Sequence, residues 1–254
     1  MSEAFRPCAL IPTYDNPRTV RAVVERVRAH VPEVVVVDDG SGPEGAAAVA
    51  ALGRDGLARV TRRARNGGKG AAVKTGFAFA RELGFTHALQ VDADGQHALE
   101  DIPRFLATAQ ASPQALVLGA PMYDASAPKG RLIARKITLF WTDVEAGRGT
   151  ITDPMCGFRV YPLDAALAAP RTGDRMDFDI EIAVRMAWMG VPIINLPTKV
   201  RYLARDEGGV SHFHLLRDNL RIGWMHTRLS MTALLWRPLL RLLGRAPRRL
   251  PAAR

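Results

Sequence analysis

The residues best suited to chemistry in this 254-residue chain form the run Asp92-Ala93-Asp94-Gly95-Gln96-His97. The carboxylates of Asp92 and Asp94 lie two residues apart after an apolar segment, so both can reach one divalent cation, and the Gln96 amide oxygen can join them. Oxygen ligands of this kind suit Mg²⁺ or Mn²⁺. Asp-x-Asp-Gly is also ordinary turn chemistry, so the run alone supports either a metal site or a solvated turn.

Two further polar clusters follow predicted strands. In Val37-Asp38-Asp39-Gly40-Ser41 the two carboxylates could bind a base and a ribose, or the cluster could cap a helix. In Arg65-Asn66-Gly67-Gly68-Lys69-Gly70 the backbone N–H groups and Lys69 could receive a phosphate at a helix start. The alternative for this second cluster is a simple strand-to-helix turn.

The elements that must position these clusters alternate between strand and helix up to about residue 120, which predicts a mostly parallel sheet. Continuous valine runs fit strands covered on both faces. Because ligands bind at the carboxyl ends of such strands, the clusters should converge on one crevice. Beyond residue 120 we expect helices at 130–141 and 178–189, and strands within 153–161 and 191–200. The predicted earlier strands are Cys8–Ile11, ended by Pro12, then Val34–Val37, Leu57–Thr61, His87–Val91 and Ala115–Leu118.

The composition excludes several classes of protein. With 48% hydrophobic and 24% charged residues, the chain is neither disordered nor collagen-like. We find no apolar run of the roughly 18 residues that span a bilayer, and no signal-peptide pattern at residues 1–6. Two cysteines make no disulfide framework. We therefore expect a reducing, cytoplasmic setting.

The net charge of +10 is concentrated near the C-terminus. Residues 212–254 hold nine arginines and one acid, Asp218, and so carry +8 of it. On a helix over 214–236, three arginines share one side, and apolar residues recur every seven positions on the other. With Trp224 this pattern predicts a helix at a lipid interface, or else a core-packing helix with a solvated basic face. The arginines are Arg217, Arg221 and Arg228, and the apolar residues are Leu215, Ile222, Leu229 and Trp236.

The order and spacing of the motifs resemble a family 2 glycosyltransferase with a GT-A fold, in particular the dolichyl-phosphate mannose synthase-like branch. The segment Asp153-Pro-Met-Cys-Gly-Phe-Arg159 resembles that branch's Asp-Pro-x-Ser-Gly-Phe-Arg, with Cys156 in the serine place. Residues 178–185 resemble its next helix. The other motifs are Ile11-Pro-Thr-Tyr14, Val36-Val-Asp-Asp-Gly-Ser41, Asn66-Gly-Gly-Lys-Gly70 and Asp92-Ala-Asp-Gly-Gln-His97.

The resemblance implies an α/β, GT-A (Rossmann-like) and mostly parallel sheet flanked by helices, with amphipathic C-terminal helices. We expect the GT-A domain at 7–205, interfacial helices at 206–243 and a basic disordered tail at 244–254.

The resemblance also implies roles for individual residues. Arg135 would contact the donor phosphates, although surface charge is an equal interpretation of Arg135 and Arg205. Arg205 and His212 fall near a basic pair that closes over the donor, with His212 in the usual lysine place. Tyr14-Asp15-Asn16 departs from the family's Tyr-Asn-Glu. The expected donor-binding residues also include Pro12, Tyr14, Asp38, Asp39, Lys69, Asp92 and Ala93, and the expected metal ligands are Asp92, Asp94 and Gln96.

The implied reaction inverts the anomeric centre of a GDP- or UDP-sugar and needs Mg²⁺ or Mn²⁺. A phosphate acceptor is already an anion and needs no base, whereas a sugar or lipid hydroxyl needs one. Asp179 falls where many family 2 enzymes carry that base. The mannose-synthase branch commonly lacks this acid, so its presence favours a hydroxyl acceptor. The alternative is that Asp177, Asp179 and Glu181 only complement a helix dipole.

Two other functions remain in view. A sugar-nucleotide pyrophosphorylase would carry a Gly-x-Gly-Thr-Arg loop where this chain has residues 12–16. A nucleic-acid binder would interleave basic and aromatic residues across a folded face, but here the basic residues are gathered at one end. We therefore expect a peripheral enzyme on the inner face of a membrane, with a lipid or polyprenyl-phosphate acceptor and no nucleic-acid partner.

Overall fold

A computed structural model describes residues 4–122, 129–170, 172–199 and 215–242. One sheet contains seven strands: β1 Pro7–Thr13, β2 Val34–Asp38, β3 Arg59–Arg62, β4 His87–Gln90, β5 Leu116–Met122, β6 Arg159–Pro162 and β7 Ile193–Lys199. The helices are α1 Val20–Arg28, α2 Pro43–Arg54, α3 Lys69–Glu82, α4 Ile102–Ala111, α5 Lys129–Ala146, α6 Leu163–Ala168, α7 Phe178–Trp188, α8 Leu215–Met231 and α9 Arg237–Leu242. A single 3₁₀ turn (Leu99–Asp101) precedes α4, and a π turn (Thr232–Trp236) joins α8 to α9.

The strand order is β3-β2-β1-β4-β6-β5-β7, which confirms the mostly parallel α/β sheet. The pairs β1–β2, β1–β4, β2–β3 and β5–β7 are parallel, and β6 runs antiparallel between β4 and β5. The strand predicted within 153–161 is confirmed as β6, but its antiparallel direction and the short helix α6 that follows it were not predicted from the sequence. The carboxyl ends of β1, β2 and β4 meet at one edge, as expected.

The first strand corrects one expectation, because Pro12 does not end it. Pro12 pairs with Val37 of β2, and β1 continues to Thr13. On the other side, the ladder with β4 stops at Leu10 opposite Gln90. Backbone N–H groups along a parallel strand alternate between the two neighbours, and Ala9 donates towards β2. The nitrogen of Pro12 therefore faces the side where the ladder has already ended, and its missing N–H costs nothing.

Both faces of the sheet are buried, which explains the unbroken valine run of β2. Val35 and Val37 pack in one hydrophobic core with α3 and α7, whereas Val34 and Val36 pack in a second core with α1 and α4. A strand covered on one side only would need polar residues at alternate positions.

The helix α8 packs on the first core, as in the core-packing alternative that the sequence left open for its apolar face. Ile222, Met225 and Leu229 are buried there, so the side predicted to meet lipid faces the protein. A different stripe on α8 is exposed. None of the helices among the described residues is long and apolar enough to cross a membrane.

Candidate active site

One large cavity, about 1850 Å³ in volume, opens at the carboxyl edge of the sheet. Its floor comes from the loops after β1, β2 and β4, and one wall comes from α5 and α8. The predicted polar clusters therefore share one cavity. The predicted site residues that line it are Pro12, Tyr14, Asp39, Lys69, Asp92, Ala93, Asp94, Gln96, Arg135 and Asp179.

The two acids after β2 hold loops together. Asp38 is buried, does not line the cavity, and accepts a hydrogen bond from the Ser41 backbone N–H at 2.8 Å. Asp39 does line the cavity, but its carboxylate accepts the backbone N–H groups of Gly67 (3.1 Å) and Gly68 (2.7 Å) and lies 2.8 Å from Arg63. Both acids thus hold the loops around the cavity in place, and the donor contacts that the sequence predicts for them stay a prediction.

Lys69 joins the half-buried carboxylate of Asp92 to the buried carboxylate of Asp179 at the centre of the cavity. Its ammonium nitrogen lies 2.8 Å from Oδ1 of Asp92 and 2.8 Å from Oδ2 of Asp179. Burial opposes the charge on Lys69, but the two carboxylates outweigh that effect and raise its pKa well above the ordinary value. Lys69 therefore stays protonated. The Gln90 amide donates a further hydrogen bond to Asp179 at 3.3 Å.

Asp92 and Asp94 sit in different electrostatic surroundings. Burial disfavours the charge on Asp92, but Lys69, His97 and other cations hold its pKa below the usual range. Burial and the neighbouring charge of Asp92 raise the pKa of Asp94. The Asp94 carboxylate also accepts the Gln96 backbone N–H at 3.0 Å, which closes the turn. A cation between the two carboxylates would favour ionisation of both.

The donor atoms at this turn fit a hard divalent cation. Both oxygens of Asp92 face Lys69, at 2.8 Å and 2.9 Å, and Asp94 and Gln96 supply further oxygens to the same cavity. Within the described ranges, no cluster brings together three or more His, Cys, Asp or Glu side chains that could hold a metal. Two carboxylates completed by substrate phosphates are nevertheless a common Mg²⁺ arrangement.

Gly157 lets the segment before β6 approach this pair. A Cβ atom there would lie 2.6 Å from Nζ of Lys69 and 2.7 Å from Oδ2 of Asp92, closer than real contacts allow. Any larger residue at 157 would therefore displace the central ion pair.

The segment 153–159 also contains two structural residues to which the sequence assigned no role. Asp153 is fully buried, lies 2.6 Å from Nε of Arg135, and accepts the backbone N–H groups of residues 155 and 156. Arg159 is fully buried and donates to the carbonyls of Pro154 (2.7 Å), Cys156 (2.6 Å) and Asp179 (2.5 Å). The only signal for these roles was the Asp-Pro-Met-Cys-Gly-Phe-Arg motif itself.

Asp15, which departs from the family's pattern, has a clear structural task. It adopts a left-handed backbone (φ 50°), and its carboxylate accepts the Gly42 N–H at 2.8 Å while its own N–H donates to Ser41. It thus ties the end of β1 to the end of β2. The predicted basic pair, Arg205 and His212, lies outside the described residues.

The α5–α8 wall contains a buried polar cluster. Glu145 of α5 lies 2.9 Å from Nδ1 of His226 and accepts a hydrogen bond from Ser230 at 3.1 Å. This cluster fixes α8 against α5 beside the cavity. The cavity wall around it is largely apolar and includes Ile133 and Ile137.

Comparison with known proteins assigns the family. The model for glycosyl transferase family 2 matches residues 8–164. The chain belongs to glycosyl transferase family 2. The GT-A architecture and the enzyme class expected from the motifs are thereby confirmed.

Two curated relatives of this family 2 glycosyltransferase are named for lipid-phosphate substrates. It is 28% identical over 219 residues to an undecaprenyl-phosphate mannosyltransferase of Micrococcus luteus, a match covering 80% of this chain and 86% of that protein. It is 33% identical over 165 residues to a polyprenol monophosphomannose synthase of Mycolicibacterium smegmatis, a match covering 61% of each chain.

A solved structure shares the fold. Glucosyl-3-phosphoglycerate synthase of Mycobacterium tuberculosis, in complex with Mn²⁺, uridine diphosphate and glucosyl-3-phosphoglycerate, aligns with a TM-score of 0.59 at 18% identity. The alignment covers 96% of this chain and 81% of that one.

Proposed function

We propose that this glycosyltransferase moves a sugar from a GDP- or UDP-sugar to a polyprenyl phosphate, with inversion at the anomeric carbon and with Mg²⁺ or Mn²⁺ as cofactor. The observation that carries the proposal is the cavity itself. It joins an acidic, oxygen-rich turn suited to a cation–diphosphate pair with an apolar wall suited to a lipid acceptor.

The donor would lie across the carboxyl edge of the sheet. Pro12 and Tyr14, which line the cavity, would contact the base and ribose, and Arg135, held by Asp153, would contact the diphosphate. A cation held by Asp92, Asp94 and Gln96 would neutralise charge on the leaving nucleoside diphosphate. The presence of Mn²⁺ and uridine diphosphate in the tuberculosis enzyme supports a divalent cation and a nucleotide donor for this fold.

The surroundings of Asp179 favour a phosphate acceptor over a hydroxyl. A general base loses its negative charge when it takes a proton, and for a carboxylate in an ion pair this step breaks the pair. One carboxylate oxygen of Asp179 faces Lys69 at 2.8 Å, and the other accepts the Gln90 amide. We therefore propose that Asp179 positions Lys69 and is not the base, which reverses the preference for a hydroxyl acceptor drawn from the sequence. The polyprenyl-phosphate relatives support the same choice.

Two helices present apolar stripes that would rest on the membrane. We propose that these faces hold the enzyme peripherally on the inner, cytoplasmic side of the membrane, beside its lipid acceptor. In this proposal the chain consists of a catalytic domain (7–205), interfacial helices (206–243) and a basic tail (244–254). The exposed residues are Ile133, Ile137 and Phe140 on α5, and Leu216, Leu220, Trp224 and Met231 on α8, continued by Leu234 and Leu235.

A screen of nucleotide-sugar donors tests this function. Purified enzyme is incubated with each GDP- or UDP-sugar, a polyprenyl phosphate in detergent and either Mn²⁺ or a chelator, and the lipid product is analysed by NMR. We expect transfer with at least one donor, loss of transfer with chelator, and inverted configuration in the product. Retained configuration, or undiminished transfer in chelator, would contradict the proposal.

The role of Asp179 has its own test. If it were the base, Asp179→Asn would lower kcat by about 10²–10⁴-fold. We expect a decrease of less than about tenfold with the same pH profile as the wild type, because a phosphate acceptor needs no proton removed.

A further inference from the structure

A second, smaller pocket lies beside the catalytic cavity, between α8 and the segment that precedes α7. It encloses about 340 Å³, within the range of roughly 300–1,000 Å³ typical of small-molecule sites. Its lining residues Asp174, Asp177, Trp224 and Arg228 do not line the catalytic cavity. Its lining residues are Gly67, Asp174, Arg175, Asp177, Arg221, Trp224 and Arg228.

The arginines of this pocket have unused donors. Nη1 of Arg221 and Nε of Arg228 are buried and have no hydrogen-bond partner. Nη2 of Arg228 lies 3.4 Å from Oε2 of Glu181, while Arg185 holds Oε1 of the same carboxylate at 2.5 Å. The Arg228 side chain is 42% exposed, so an acceptor brought by a ligand can reach it from the pocket.

The charge in the pocket is positive. Asp174 is paired with Lys74 at 2.7 Å. Among the lining residues, the negative charge of Asp177 then faces the positive charges of three arginines. Asp218, one turn before Arg221, lines the larger cavity and not this pocket. Planar guanidinium groups bind phosphate oxygens in paired hydrogen bonds, so a phosphate group is the anion that fits best.

An apolar surface continues from the rim of the pocket. Trp224 is 65% exposed, and Leu220, one turn earlier on α8, is 66% exposed. Tryptophan is favoured where hydrocarbon meets lipid headgroups. A ligand that matches both features carries a phosphate and a hydrocarbon chain.

We propose that the pocket formed by Arg175, Arg221 and Arg228 binds the headgroup of an anionic phospholipid. The bound lipid holds the mouth of the adjoining cavity against the bilayer, since Arg175 and Arg221 line both spaces. This inference rests on the proposed function only in that the enzyme works at a membrane surface.

Vesicle flotation of the full chain tests the inference, with phosphatidylcholine vesicles that contain or lack phosphatidic acid. The loss of one surface charge weakens binding by about 1 kcal/mol, or roughly fivefold. We expect Arg228→Gln to weaken binding to the phosphatidic acid vesicles by more than tenfold. Arg228→Lys keeps the charge but loses the paired hydrogen bonds of the guanidinium group, and should weaken binding nearly as much. Arg217→Gln is the matched control, because Arg217 is exposed on the same helix and lies outside the pocket.

Three results would overturn the inference. They are equal effects of Arg217→Gln and Arg228→Gln, full recovery in Arg228→Lys, and release of the protein from vesicles by millimolar inorganic phosphate, which would assign the pocket to a soluble anion. Thermal melting of each variant confirms folding. Sugar transfer by the wild type in detergent reports separately on the proposed function, so either proposal can fail while the other stands.

Discussion

Replacing Lys69 with methionine would leave the half-buried Asp92 and the buried Asp179 without their shared counter-ion. At 2.8 Å from each carboxylate, the ammonium gains about 6 kcal/mol of Coulomb energy per contact with an effective dielectric constant of about 20. Desolvation offsets much of this gain, and removing one partner of a buried pair typically costs about 3–5 kcal/mol. We expect Lys69→Met to lower the free energy of unfolding by that amount at pH 7, measured by urea denaturation.

The loss of folding stability in Lys69→Met should depend on pH in a definite direction. The lowered pKa of Asp92 in the folded protein contributes stability that is present above its unfolded value of about 3.9 and is lost as the pH falls below it. The raised pKa of Lys69 contributes stability that is present below about 10.4 and is lost only at higher pH. The wild-type contribution is therefore constant between about pH 5 and 9. In Lys69→Met, Asp92 loses the cation that lowers its pKa and takes up a proton more readily, so the deficit should shrink as the pH falls from 7 towards 5.

The matched control is Lys74→Met on the same helix. Lys74 pairs with Asp174, but the two side chains are 36% and 67% exposed, and such surface pairs are worth about 0–1 kcal/mol. The double variant Lys69→Met/Asp179→Asn should recover part of the loss, because it removes one of the unpaired charges. The reasoning is refuted if Lys69→Met matches Lys74→Met in stability, or if its deficit is the same at pH 5 and pH 7.

Three further predictions concern the same region. Asp94→Asn should reduce sugar transfer at least 10²-fold with little change in the melting temperature, because Asp94 acts on charge at the reacting diphosphate; an active variant would remove Asp94 from the cation site. Gly157→Ala should weaken activation by Mn²⁺ at least tenfold, since its Cβ would displace the Lys69–Asp92 pair; an unchanged Mn²⁺ titration would contradict this role. Burial raises the pKa of Cys8 and of Cys156 to about 12, so neither thiol should react with a disulfide reagent at pH 8 until the protein is denatured, and rapid labelling of the folded protein would refute it.

The part of the fold that could be predicted from the sequence is the part with regular periodicity. The valines of β2 and the four buried valines of α1 follow strand and helix spacing, and the structure confirms both elements. A strand was predicted where β6 lies, but its antiparallel direction was not, because that direction depends on neighbours distant in sequence. The prediction that Pro12 ends β1 was wrong for a similar reason, since the effect of a proline on a strand depends on which neighbouring strand its nitrogen faces.

The candidate site divides in the same way. Asp92 and Asp94 were recognisable because turn residues after a strand have a fixed place in a parallel sheet. The role of Arg159 could not be recognised, because the sequence does not distinguish a buried arginine that donates to three carbonyls from an arginine on the surface. The preference for a hydroxyl acceptor depended on Asp179 alone, and its pairing with Lys69 arises only when α3 and α7 pack together.

Acceptor choice tests the central claim most directly. The enzyme is given one active sugar donor, Mn²⁺, and either a polyprenyl phosphate or the polyprenol of the same chain length, and labelled lipid product is measured in parallel reactions. We predict product with the phosphate and none above background with the alcohol. Glycosylation of the alcohol at a comparable rate, or no product with the phosphate, would contradict the account.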